Sequence, residues 1–166
     1  MSLSLALLCG GAAISADEAV RPDVAKLLIK AQELHGQKQY AQALGQIAEV
    51  EKFAPSNALE RFHTERMRAM VLLSNNNQAG AAQALEAALA SERGDAADRM
   101  AIMENLVLVH YRATAYEKSA VWAERYLAQG GANVGRFVPD QLVEHLGSDA
   151  PVAVGQGPAH RLRRQG

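Results

Sequence analysis

Residues 26–55, KLLIKAQELHGQKQYAQALGQIAEVEKFAP, carry two helix-length apolar stripes joined by a short polar turn. The first stripe is Leu27, Leu28, Ala31 and Leu34; the second is Tyr40, Ala43, Leu44, Ile47 and Val50, closed by Pro55. Steps of three and four residues put each set on one face of a helix. A shift of 38 residues carries Ala31, Leu34, Ala43, Ile47 and Val50 onto Ala69, Leu72, Ala81, Leu85 and Ala88, and a second shift carries them onto Val107, His110, Ser119, Ala123 and Tyr126. Tyr40 and Tyr116 fall on one place in this frame. Self-similarity at such a period predicts stacked supersecondary units, none of which buries its apolar face alone.

The residues between the stripes set the helix boundaries. Asp23, after Arg21 and Pro22, is placed to N-cap a helix reaching about His35, which Gly36 ends. The next helix starts near Tyr40, keeps its apolar period through Phe53 and stops at Pro55. Asn57 and Glu60 have capping-box spacing and open a helix from about Ala58 to Leu73. After the turn cluster Ser74 to Asn77, an alanine-rich helix runs from about Ala79 to Ser91. Gly94 and Asp95 precede a third pair, roughly Ala96 to Arg112 and Tyr116 to Gln129, ended by Gly130 and Gly131. The apolar stripes, the alanines and the tyrosines read as core. Ala43 and Ala81 let helices approach closely, and Tyr40 and Tyr116 are expected to fill the mouth of a hairpin.

Tyr40-x-x-Ala43 at the start of a second helix, Ala31 where a small residue is wanted, and Pro55 at the end of the unit resemble the tetratricopeptide repeat (TPR) family, whose signature is about 34 residues long. The resemblance covers Val24 to Gly131; Gln78 replaces the tyrosine in the second pair, and Ser119 stands for the small residue in the third. The longer spacing of 38 implies extended first helices or inter-hairpin turns. The resemblance implies an all-α fold, a short helical-hairpin solenoid of three TPR-like units whose first helices line a concave groove for a segment of another protein. Projected onto this chain, that groove is Leu28, Gln32 and His35, then His63, Arg66, Met70 and Leu73, then Glu104, Leu108, Tyr111 and Arg112. Glu51 and Glu86, on second helices, are expected to face away. The pattern by which some family members clamp a terminal carboxylate is missing, because Leu28 and Met67 stand where it needs polar side chains. A leader followed by such repeats is similar to periplasmic repeat proteins of Gram-negative bacteria.

The chain of 166 residues is 49% hydrophobic but only 5% aromatic, which favours helices packed through small residues. A net charge of −1 gives no long-range field for phosphate backbones or anionic lipid, so nucleic acid is not an expected partner. The apolar run Ser2 to Cys9, then small residues to Ala16 ahead of Asp17, has the order of a cleaved secretory signal. Its leading end has no Lys or Arg, so either translation starts upstream of Met1 or the run is an ordinary helix start. Cys9 follows Leu8 rather than the small residue a lipoprotein signal needs, and no cysteine remains once residues 1–16 are removed. The expected organisation is a signal at 1–16, a linker at 17–22, the repeat domain at 23–131, a capping helix within 132–147 built on Pro139 to Gly147, and a disordered tail at 148–166 that is a native end, a truncation or an out-of-frame end.

Chemistry is sparse. No two of His35, His63, His110, His145 and His160 stand at i, i+3 or i, i+4, so no local metal pair exists. There is no G-x-S-x-G, and Gly155-x-Gly157 lacks the strand and helix of a phosphate loop. The expectation is a protein with no cofactor and no catalytic residues, periplasmic or else cytoplasmic, without membrane insertion of the mature chain. It binds another protein as a scaffold or adaptor; the alternative is a self-assembling accessory domain of an envelope enzyme or export system, a homo-oligomer.

Overall fold

The computed structural model describes residues 19–53 and 56–132. The expected signal, the first two linker residues, Pro55, all but the first residue of the capping region and the whole tail lie outside them. The described residues form six helices and no strand: α1 (Pro22–Gly36), α2 (Tyr40–Val50), α3 (Ala58–Ser74), α4 (Gln78–Ala90), α5 (Ala96–Arg112) and α6 (Tyr116–Ala128). α1 packs on α2, α3 on α4 and α5 on α6, and α2 and α4 in turn touch α3 and α5.

The apolar frame predicts the core. Ala31, Leu34, Ala43, Ile47 and Val50, and every residue reached from them by one or two shifts of 38, are buried. Ser119, in the place of Ala43 and Ala81, is fully buried and its Oγ donates to the Val107 carbonyl at 2.8 Å. α4 buries Ala81, Ala82, Ala84, Leu85 and Ala88, and these small side chains let α3 and α5 both approach it.

The turns repeat as faithfully as the core. Lys38, Asn76 and Thr114, each 38 residues from the next, are left-handed at φ 61, 56 and 58°. The amide after each reaches back to close the helix: Gln39 donates to the Leu34 carbonyl, Asn77 to Leu72 and Ala115 to His110, all at 2.9 Å. This is a Schellman ending, which satisfies carbonyls the helix would otherwise leave bare. Gly130 ends α6 in the same way, with Gly131 donating to the Tyr126 carbonyl at 3.0 Å.

Several boundaries differ from expectation. Arg21, not Asp23, is the N-cap residue of α1, because Pro22 at the first helical position already starts the helix and leaves Asp23 in its first turn. α2 ends at Val50, so Phe53 lies beyond it and is 36% exposed. Tyr116 is 49% exposed rather than core: it is the first residue of α6 and its ring meets only the rim, 5.5 Å from that of Tyr111. Tyr40 is half-buried against His35 in the equivalent pairing.

The Asn57–Glu60 capping box forms as expected, with Glu60 N–H donating to Asn57 Oδ1 at 2.8 Å. Glu60 also does something the spacing did not announce. Its fully buried carboxylate accepts from the Arg21 amide at 2.9 Å and from Arg21 Nε and Nη2 at 2.7 Å each. Arg21 Nη2 continues to the Phe53 carbonyl, and Asn57 Nδ2 donates to the Ala19 carbonyl, both at 2.8 Å. The segment before α1 is thus fastened to the start of α3. The Arg21 guanidinium holds the Glu60 carboxyl below the usual carboxylate range, against the opposing effect of burial.

Candidate interaction cleft

α1 lies directly against α3, but α3 and α5 meet little, and a cleft of about 450 Å³ opens between them. Buried Ala69, Leu85 and Ile102 give it an apolar floor. One wall is the face of α3 carrying His63, Arg66, Met70 and Leu73; the other is the face of α5 carrying Asp98, Ala101 and Asn105. Met70 is 39% exposed at the rim.

The charges at this cleft are organised by one pair. Arg66 Nη1 sits 2.8 Å from Asp98 Oδ1, joining the two walls, and its guanidinium lies 5.2 Å from the centre of the Phe62 ring. The same ring meets His63 edge-on at 5.4 Å. Burial and the Arg66 charge push the His63 pKa down, while Asp98 acts the other way, so the site disfavours the charged imidazolium. Asp98 is placed by a second capping box: Asp95 Oδ1 accepts from the Asp98 amide at 2.7 Å, and the Asp98 carboxylate accepts from the Asp95 amide at 3.3 Å. Gly94 allows this turn, at φ 85°, and a side chain there would run into the Phe62 ring.

Of the eleven expected groove positions, the cleft gathers four: His63, Arg66, Met70 and Leu73. Gln32 is exposed on α1, and His35 Nε2 is 2.8 Å from Ser74 Oγ, tying the ends of α1 and α3. Leu28, projected onto the same face, is instead packed with Val24 and Val50 in the core. Glu104, Leu108, Tyr111 and Arg112 are not among the cleft walls; Tyr111 packs on Tyr116. The reason is geometric. A shift of 38 carries only part of the lining across: His63 and Met67 line the cleft together with their counterparts Ala101 and Asn105, whereas Arg66 and Met70 line it and their counterparts Glu104 and Leu108 do not. Asp98, Ala101, Ile102 and Asn105 follow a period of three and four on α5, and that stripe was the available signal.

Among the described residues no cluster of His, Cys, Asp and Glu could hold a metal ion, and no helix is long and apolar enough to cross a membrane. In comparison with known proteins, no family model, no curated protein and no solved structure gives a significant match.

Proposed function

We propose that the six helices form a short solenoid of three TPR-like hairpins, and that the protein is a non-catalytic scaffold or adaptor of the bacterial envelope which holds a segment of another protein on the face formed by its first helices. The observation that carries this reading is the α3–α5 cleft: it has an apolar floor, a histidine and an Arg–Asp pair at its edge, and it lies between two first helices. An apolar floor with few, directed polar groups is the usual make-up of a recognition site. The envelope location rests on the order of residues at 1–16.

The test is a partner captured on the full chain, then titrated against variants with circular dichroism as the folding control. Arg66→Ala and Met70→Ala are expected to weaken binding by about 1–2 kcal/mol each if they are hot spots. Glu51 and Glu86 are unsuitable controls, since Glu51 receives Arg68 and Glu86 lies 3.6 Å from His110. Exposed Gln42 and Gln83, on second helices, serve instead, and Ala there should change nothing. Equal losses at both sets, or a partner indifferent to Arg66 and Met70, would place binding elsewhere. A concentration-dependent oligomer in light scattering would favour the self-assembly reading.

A further inference from the structure

A second cleft, of about 390 Å³ and sharing no lining residue with the first, opens between α4 and α6. Buried Met103 of α5 and half-buried Leu89 and Trp122 supply its apolar surface, with Arg99 and Arg125 at its edges. The Arg125 guanidinium stands 4.6 Å from the centre of the Trp122 ring. Among the described residues neither Arg99 nor Arg125 has a carboxylate within ion-pair distance, in contrast to Arg21, Arg66 and Arg68. Among the described residues the one acidic side chain at this cleft, Glu86, lies 3.6 Å from the buried His110.

The fold does not demand this chemistry. One shift of 38 towards the N-terminus, Leu89, Met103, Trp122 and Arg125 become Glu51, Glu65, Ala84 and Ala87, while Arg99 becomes Arg61. There the two carboxylates are taken up by Arg68. The same scaffold thus carries a charge-balanced, internally paired surface at one place and, at the next, an aromatic, apolar surface whose two cations have no carboxylate partner among the described residues.

We infer that the α4–α6 cleft is a second binding site, whose ligand is an acidic peptide segment with a large apolar side chain beside its carboxylates. The apolar side chain covers Trp122, Leu89 and Met103, and the carboxylates pair with Arg99 and Arg125, whose guanidinium forks suit bidentate contact. This site is separate from the α3–α5 cleft and does not depend on the function proposed for it.

Trp122 is the only tryptophan of the chain, so its fluorescence reports on this cleft and on the core that the ring packs against. The full-length protein is titrated with a blocked peptide of alternating Leu and Glu, and separately with Leu–Lys and Ser–Glu counterparts. The expected result is a saturable change in Trp122 emission with the Leu–Glu peptide only, weakened by salt. Arg99→Gln and Arg125→Gln should each raise the dissociation constant by about tenfold, with circular dichroism unchanged, and Arg66→Ala should leave it unaltered. No saturable change with Leu–Glu, an equal response to Leu–Lys, or full binding by both glutamine variants would overturn the proposal.

Discussion

His110 shows what one residue does to an otherwise regular core. The 38-residue frame sets it beside Leu34 and Leu72, and it is 7% exposed, as buried as they are. Its Nε2 has no hydrogen-bond partner among the described residues; Glu86 Oε1 at 3.6 Å is too far for a good one. Burial pushes its pKa below the ordinary 6.5, more than Glu86 raises it, and nearby Lys118 adds to the lowering. A group with a depressed folded pKa binds protons more readily when unfolded, so its contribution is complete above about pH 6.5 and is lost as pH falls. Thermal unfolding from pH 7 to pH 5 should therefore show falling stability, and His110→Leu should reduce that slope; His63, depressed likewise, leaves a remainder. An unchanged slope would mean that His110 is not charged on unfolding. Glu60 acts in the same direction at lower pH: its carboxyl is depressed by Arg21, so the stability it contributes is present above its ordinary 4.5 and lost below it. Glu60→Gln should lower the melting temperature at pH 7 by at least about 5 °C, and the gap to the parent should close as the pH falls below that value.

The turns are the elements most closely repeated, yet they are not built from the residues best suited to them. A left-handed position costs a side chain roughly 1–2 kcal/mol, and a β-branched one is the least comfortable there. Thr114 occupies such a place at φ 58° and is exposed. Thr114→Gly is expected to stabilise the protein by about 1 kcal/mol, seen as a rise in denaturant midpoint at constant slope. Gly94 is the converse case, where the left-handed turn is combined with contact on Phe62. Gly94→Ala should destabilise by about 2 kcal/mol or more, measured the same way. Both expectations are element-level because the ladders inside the helices are untouched.

At the scale of the molecule, α4 decides how the helices fit together. Four of its five buried residues are alanines, and Ala84 is 2% exposed in the core shared with α3 and α5. Ala84→Leu should cost about 1–3 kcal/mol by overpacking, while Gln83→Leu on the exposed side should be nearly neutral; equal effects would show that α4 is not the tight layer. The order of the helices and most of the core were legible in the sequence because they arise from local chemistry: apolar steps of three and four, Asn57 with Glu60 as a capping box, and a 38-residue frame in which even His110 and Ser119 took the buried places assigned to them. Where a side chain meets one distant in sequence, the pattern was silent. Arg21 and Glu60 are 39 residues apart, and nothing in either segment marks the other as its partner. The cleft walls were half legible for a related reason: periodicity identifies the face of α3 carrying Arg66 and Met70, but the Arg66–Asp98 pair that joins the two walls depends on how α3 and α5 are placed side by side. Sequence by itself determined the helices and their inward faces, since these depend on neighbours along the chain; only the tertiary structure decided which outward faces meet across a cleft, since that depends on how far apart the packed layers hold them.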